Sequence, residues 1–245
     1  NAVFMTFGDI PASEHHAHFE DKVLSRFDKR DDCPVVKDEK RFQAPMQVSE
    51  YYALEGEESL AAKTHIVMGW LWGKNTSLKD LLEGELLSGV LLDHSASPLR
   101  KALETTELGT APSPLCGMED SERELVFVCG LEGSEAIHTD AVEALVMSVC
   151  RQVADEGVPF AELEAVLHQL ELHQREVGGD GYPYGLQLIL QALGCATHYS
   201  DPIAVLNLEP VIADLQKQIQ DPDYIRQLAR QLLLDNPHRV TLVMT

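Results

Sequence analysis

Residues 65–109, HIVMGWLWGKNTSLKDLLEGELLSGVLLDHSASPLRKALETTELG, contain the change of hydrophobic period that decides the fold. The opening HIVMGWLW is rich in β-branched and aromatic side chains, which predicts a strand. From Ser77 onward the apolar residues recur every three or four positions, which predicts a helix with Thr76 or Ser77 as its N-cap. The apolar face of this helix consists of Leu78, Leu81, Leu82, Leu86, Val90 and Leu91.

The residues before this stretch predict a helix between two strands. Residues 3–7 and 42–54 have strand-like composition, and the charged residues 28–41 predict a loop. Between them, Phe19, Val23 and Phe27 recur every four residues, which predicts a helix with a buried stripe.

The residues after the stretch predict a largely helical second half. Strands are expected at residues 124–131 and 239–245, and Ser97 with Pro98 is typical of a helix start. Further helices are expected at residues 139–156, 160–176, 186–196, 203–219 and 222–234. This order predicts an α+β fold: a mixed or antiparallel sheet with helices packed on one face, plus a C-terminal helical block.

The length of the chain fits one large domain or two small ones. We interpret residues 1–2 as a remnant of processing or cloning, and the chain as a piece of a longer protein. Residues 3–245 are expected to form a single domain. Its α+β core is assigned to residues 3–157, and its helical extension with a closing strand to residues 158–245.

The net charge indicates which partners the protein does not bind, and the cysteines indicate the compartment in which it is found. The formal net charge is −21, from 40 acidic and 19 basic residues, which argues against nucleic acid and anionic membrane partners. No apolar run approaches the roughly 20 residues of a membrane helix. The five cysteines, 33, 116, 129, 150 and 195, include no C-x-x-C pair, so we expect reduced thiols. We expect a reducing compartment: the bacterial cytoplasm, or the mitochondrial matrix if the source is eukaryotic.

Residues 13–21, SEHHAHFED, are rich in histidine and are a candidate metal site. On a helix, His15 and His18 lie about 60° apart, whereas His16 points about 100° away from His15. At most two of the three could share one ion, so a solvated helix face is the simpler interpretation. An unrelated enzyme that uses these histidines is the remaining enzymatic alternative.

The other candidate motifs are incomplete. In HQLELHQ, residues 168–174, the two histidines are five positions apart, about 140° around a helix, and cannot grip one ion from the same face. The chain lacks H-x-x-E-H, H-E-x-x-H, G-x-S-x-G and a P-loop. GGDGYPYG, residues 178–185, predicts a helix–helix connection. The sequence therefore predicts no catalytic residue and no metal ligand.

Several segments in order resemble one family. TFGDIP (residues 6–11), the stretch at 65–109, LEAVLHQLELHQRE (163–176), GLQLILQALGCATHYSDPIAVL (185–206) and NPHRVTLVM (236–244) are similar to the second domain of presequence-protease-like zinc metallopeptidases, relatives of pitrilysin and insulin-degrading enzyme. The resemblance covers nearly the whole chain. It implies the fold of the pitrilysin and mitochondrial processing peptidase domains.

The functional residues of that family are mostly not found here. Its H-x-x-E-H zinc site belongs to the first domain, and no position in this chain matches it. Its substrate-binding Arg and Tyr are echoed only loosely by residues 175–182, one residue too long and at another point of the domain, so that role is not carried over.

The resemblance implies a non-catalytic domain that forms part of the wall of a closed chamber in which unfolded peptides are degraded. Its implied partners are an upstream catalytic domain, the C-terminal half of the same protein and the unfolded peptide, with zinc expected in the full-length parent and no cofactor in this fragment. A peptide-contact strand is implied at Ile66, Met68, Trp70, Trp72, Gly73 and Asn75, for which core packing is the alternative. The alternative function is a structural core-type subunit of the same fold, without a catalytic partner in the same chain.

Overall fold

The computed structural model describes residues 2–28, 35–54, 59, 61–175 and 183–245. Its strands are β1 (Met46–Glu50), β2 (Thr64–Lys74), β3 (Ala111–Pro112), β4 (Gly117–Glu119), β5 (Glu124–Ser134) and β6 (Arg239–Met244). Its α-helices are α1 (Ala12–Lys22), α2 (Leu78–Leu92), α3 (Pro98–Thr105), α4 (Thr139–Glu156), α5 (Phe160–Arg175), α6 (Tyr184–Thr197), α7 (Glu209–Gln218) and α8 (Pro222–Ala229). Short 3₁₀ turns occur at Leu24–Arg26, Ala136–His138 and Ala204–Leu206, and a π turn at Arg230–Leu234.

The strands form one mixed sheet in the order β1-β6-β2-β5-β3, with β4 also paired to β5. The last strand of the chain, β6, lies between the first two, parallel to β1 and antiparallel to β2. The long strands β2 and β5 pair antiparallel beside it. This arrangement confirms the predicted fold class.

The helices gather on one face of the sheet because the alternate residues of the long strands form a continuous apolar surface there. Ile66, Met68 and Trp70 of β2 are fully buried, as are their neighbours on β5. Helix α2 approaches this surface closely at Gly84, where a Cβ atom would lie 2.6 Å from the sulfur of Met118. Its start is as predicted, since the Ser77 hydroxyl accepts a hydrogen bond from the Asp80 N–H at 3.2 Å.

The π turn joins the C-terminal helices to the sheet. In a π turn a backbone N–H bonds to the carbonyl five residues earlier rather than four, as in the 2.8 Å bond from the Asp235 N–H to the Arg230 carbonyl. Neighbouring carbonyls are left free. The indole of Trp70 donates to the Leu233 carbonyl at 3.0 Å, and that of Trp72 to the Leu232 carbonyl at 3.1 Å. The predicted helix at residues 222–234 is therefore interrupted at the point where it contacts β2.

Two expectations for the N-terminal region are wrong. Residues 3–7 do not form a strand; instead Phe4 packs on Phe19 at 4.7 Å between ring centroids, and Phe7 packs edge-on against Tyr184 at 6.0 Å. Helix α1 has no buried residue, and Phe27, which lies after it, is 73% exposed. Phe4 covers part of Phe19, but Val23 and Phe27 are exposed, so the four-residue period does not mark a core face.

The remaining differences follow from proline and glycine. The strand expected at 42–54 is limited to β1, which begins directly after Pro45. The helix expected at 203–219 is split, because α7 starts at Glu209 with Pro210 in its first turn. The short strands β3 and β4 lie in the Pro- and Gly-rich segment 109–118, where no strand was expected.

Replacement of Trp70 by Phe tests the contact between β2 and the π turn. The change leaves the buried Leu233 carbonyl without its donor and opens a small cavity, so we expect a loss of about 2–4 kcal/mol in the free energy of unfolding. Urea denaturation measures it, with Tyr51→Phe as the control because Tyr51 is 89% exposed. A loss no larger than that of the control would show that the bond contributes nothing to stability.

Candidate functional site

The residues implied as a peptide-contact strand lie in the core, apart from Gly73, which is partly exposed. Of these, Ile66, Met68 and Trp70 are fully buried, Trp72 is 4% exposed and Asn75 is 7% exposed. Strand β2 is also an inner strand, paired to β5 on one side and to β6 on the other. Strand addition requires an open edge, so β2 provides no place for a peptide strand in this structure.

The opposite face of the sheet is apolar and open. The cross-strand register places alternate residues of four strands on it, among them Val67 opposite Leu242 and Leu71 opposite Val126. We call this surface the open sheet face; its apolar side chains are Met46, Val48, Val67, Leu71, Val126, Val128, Val240, Leu242 and Met244. Glu50 and His65, both paired with Met244, lie on the same face at its end.

The exposure of these side chains shows that the face is uncovered. Val67, at its centre, is buried by its neighbours within the sheet, whereas Met46 is 45% exposed and the others are partly exposed. The helices in contact with the strands hold their buried residues against the opposite face. A contiguous apolar surface of this kind is typical of an interaction site.

One end of the open sheet face is closed by the segment that leads into β1. The ring of Phe42 stacks on His238 with centroids 4.1 Å apart, and the Phe42 N–H donates to the His238 Nδ1 at 3.1 Å. Burial, followed by the charge of Arg41, lowers the pKa of His238. Arg41 in turn forms a 2.5 Å ion pair with Glu124, whose side chain is only 6% exposed. These contacts fix the position of the segment across the ends of the strands.

A second pair of salt bridges holds the same segment. Asp38 lies 2.6 Å from the Lys74 ammonium and 2.8 Å from the Arg123 guanidinium. Hydrogen bonds from Lys74 and then Arg123 lower the pKa of Asp38. Because all three side chains are partly exposed, the bridges mainly orient the segment.

Strand β1 provides an open edge beside this face. The Thr245 N–H donates to the Glu50 carbonyl at 3.0 Å, and the Tyr52 N–H donates to the Thr245 carbonyl at 3.3 Å. Backbone groups of the even-numbered residues therefore point towards β6. Those of Gln47 and Ser49 point outwards, since strand residues alternate. This edge is suited to pairing with an extended chain.

A separate cleft of about 490 Å³ lies between α2, α6 and the turn that joins β4 to β5. We call it the acidic cleft because Glu85 and Asp120 are its titratable lining residues. Burial raises the pKa of Glu85 to about 7, and the charge of Asp120 adds to the shift. Burial also raises the pKa of Asp120.

The histidines do not form a centre in the structure. His16 and His18 are exposed on α1, and His15 is partly exposed. His168 is exposed on α5, and the side chain of His173 lies outside the described residues, as do residues 176–182 of the glycine-rich segment. In the described part of the chain, no three His, Cys, Asp or Glu side chains lie close enough to hold a metal ion. Likewise, none of the helices described is long and apolar enough to cross a membrane.

A mixed sheet with one helical layer and an open apolar face defines an α+β domain. Comparison with known families identifies it further. The family described as "Peptidase M16 inactive domain" matches residues 1–170. The chain belongs to this family, as its resemblance to pitrilysin-like metallopeptidases predicted.

The curated relatives are presequence proteases. The mitochondrial presequence protease of Xenopus tropicalis is 28% identical over 250 residues, which cover 100% of this chain and 24% of that protein. The chloroplastic and mitochondrial presequence protease 1 of Arabidopsis thaliana is 30% identical over 213 residues, 85% of this chain and 20% of that protein. The chain thus spans about a quarter of the length of the relatives that it matches.

Solved structures show the same fold. A peptidase M16 inactive domain from Pseudomonas fluorescens aligns with a TM-score of 0.66 at 14% identity, covering 97% of this chain and 51% of that one. The ferredoxin protease FusC, solved in complex with Arabidopsis ferredoxin, aligns with a TM-score of 0.66 at 13% identity, covering 96% and 24%.

The raised pKa of Glu85 predicts a pH-dependent stability. The folded state holds the Glu85 proton more tightly than the unfolded chain, so stability present at low pH is lost as the pH rises from about 4.5 to about 7. We expect Glu85→Gln to remove this loss. Relative to the unsubstituted chain, the variant should gain on the order of 2 kcal/mol between about pH 5 and about pH 7.5.

Urea denaturation at the two pH values measures this difference, with the exposed Glu164→Gln as the matched control. An identical pH dependence in Glu85→Gln and in the unsubstituted chain would contradict the assignment.

Proposed function

We propose that the chain is the non-catalytic wall domain of a zinc endopeptidase that degrades unfolded peptides, with the open sheet face turned towards the peptide. Residues 3–245 act as one such domain. The open sheet face is the observation that carries this proposal, because an apolar surface without deep pockets contacts many sequences without selecting one. The β1 edge beside it offers backbone groups that pair with any extended chain.

The proposed partners are an upstream H-x-x-E-H domain and the C-terminal half of the same longer protein. Zinc belongs to that upstream domain, whose two histidines and glutamate base supply the hydrolytic chemistry. A reducing compartment accords with the cysteines, since Cys116, Cys129, Cys150 and Cys195 are free thiols. The animal relative is named as mitochondrial, and the plant relative as chloroplastic and mitochondrial.

Complementation tests the wall-domain role. We expect the chain alone to cleave no unstructured peptide and to hold no stoichiometric zinc. Covalently joined to its cognate H-x-x-E-H domain, it should give a zinc-loaded protein that cleaves the peptide, as measured by metal analysis and a quenched fluorescent substrate.

Leu242→Asp in the joined protein should lower cleavage at least tenfold by placing a charge on the open sheet face. Ile137→Asp, at a site that is 86% exposed in the 3₁₀ turn before α4, serves as the matched control. Zinc bound tightly by the chain alone would overturn the proposal. Absence of cleavage in the joined protein would favour the structural core-type subunit.

Strand addition at the β1 edge has its own test. The Ser49 N–H points away from β6, so Ser49→Pro removes a donor that the fold does not use. We expect a five- to tenfold weaker affinity of the chain for a labelled unstructured peptide, measured by fluorescence anisotropy, on the order of one lost hydrogen bond.

Ser49→Ala keeps the N–H and should bind as the unsubstituted chain does. A thermal melt checks that Ser49→Pro remains folded. Equal affinities of the folded Pro and Ala variants would exclude this edge as the binding site.

A further inference from the structure

The acidic cleft contains a buried hydrogen-bond acceptor without a partner. Asn75 is 7% exposed and lines the cleft. Its Nδ2 donates to the Asp120 carbonyl at 3.3 Å, so its Oδ1 points the other way. That oxygen is inaccessible to solvent and has no hydrogen-bond partner. Because nearly all buried polar groups in folded proteins are paired, the unpaired Oδ1 indicates a donor that the described residues do not supply.

Glu85 adds a second acceptor of the same kind. Its Oε2 is also inaccessible and unpaired. Burial of this carboxyl and repulsion by Asp120 make its ionised form costly, and a cation between the two carboxyls would remove that cost. Among the described residues that line the cleft there is no Lys, Arg or His to play this part. A group that is both a donor and a cation would satisfy both acceptors.

The walls of the cleft determine what carries the cation. They are largely apolar, formed by Leu78, Leu81, Leu190, Leu193, Val205 and Leu208. A volume of about 490 Å³ is large for a single hydrated ion and matches a small organic ligand. An inorganic ion would make no apolar contact with these side chains. An aliphatic chain with one charged end satisfies both the walls and the base.

We propose that the acidic cleft binds an aliphatic ammonium or guanidinium group, with the cationic nitrogen donating to the Glu85 carboxylate and, once the side chains around Asn75 move to admit it, to Asn75 Oδ1. Asp120 contributes to the negative potential, and the leucine walls hold the carbon chain. The group can belong to a free amine or to a lysine or arginine side chain of a peptide. This site lies apart from the open sheet face and does not depend on the proposed peptidase role.

Calorimetric titration of the full chain with n-pentylamine and n-butylguanidine, each charged at one end only, tests the proposal. We expect saturable binding at about pH 8, with no binding of the uncharged 1-pentanol. Affinity should fall at about pH 5.5, where Glu85 takes up a proton. A lysine-containing unstructured peptide, compared with the same peptide carrying norleucine, distinguishes a side chain from a free amine as the source.

Variants locate the site. Glu85→Gln and Asn75→Leu should each weaken binding of the preferred probe at least tenfold, whereas Glu164→Gln, on the exposed side of α5, should not. The prediction that Glu85→Gln stays folded is checked by its thermal melt. If Asn75→Leu fails to fold, Asp120→Asn replaces it, with an expected weakening of three- to fivefold.

Three results would overturn the proposal. The first is that neither cationic probe binds saturably and the lysine peptide does not bind either. Water would then be the occupant of the cleft. The second is amine binding that is unchanged in folded Glu85→Gln. The third is saturable binding of Mg²⁺ or Ca²⁺ that displaces the amine, which would assign the oxygens to a hard cation.

Discussion

The structure depends on two hydrogen bonds between the middle of the chain and its end. The indoles of Trp70 and Trp72 donate to two successive carbonyls of the π turn, across more than 150 residues of sequence. Asn236 adds a third link, because its Nδ2 donates to the carbonyl of Leu71 at 2.9 Å and to that of Leu232 at 3.2 Å. Only a turn with the π register presents those carbonyls to β2, so the irregularity is part of the sheet's assembly.

The consequence of this link is the position of β6. Once the π turn is fixed on β2, the short segment at residues 235–238 directs the chain back along it, and β6 pairs with β2 from Arg239 to Met244. Strand β1 then adds to the far side of β6. The helices pack on the face of the sheet that carries the two tryptophans. The second face therefore carries Val128, Val240 and Leu242. A domain built in this way exposes an apolar sheet surface unless another chain segment covers it, which is the expected behaviour of one wall of a larger protein.

The sequence predicts those parts of the fold whose periodicity comes from burial within the chain itself. The strand at Trp70 and Trp72 and the helix capped by Ser77 belong to this group, and both occur as expected. The stripe of Phe19, Val23 and Phe27 has the same spacing, but periodicity does not say what covers a stripe, and Val23 and Phe27 are exposed here. Likewise, composition marks β2 as a buried strand but does not indicate that it lies between β5 and β6, because strand order is set by contacts distant in sequence.

The residues of the acidic cleft are also not predicted from the sequence, because they are brought together only by the fold. Asn75, Glu85 and Asp120 are separated in sequence and belong to no motif; they converge because α2 packs against β4 and the turn that follows it. Glu85 lies on α2 between Leu82 and Leu86, both of which are buried, and a leucine at this position would be more stable than an unpaired carboxyl. A carboxyl kept at such a position lowers stability, and a bound cation is the physical condition under which that loss is offset. Burial destabilises the ionised Glu85 carboxyl, and a bound donor stabilises it. For this reason, recognition of a small charged group in this domain is favoured at the cleft rather than at the histidines.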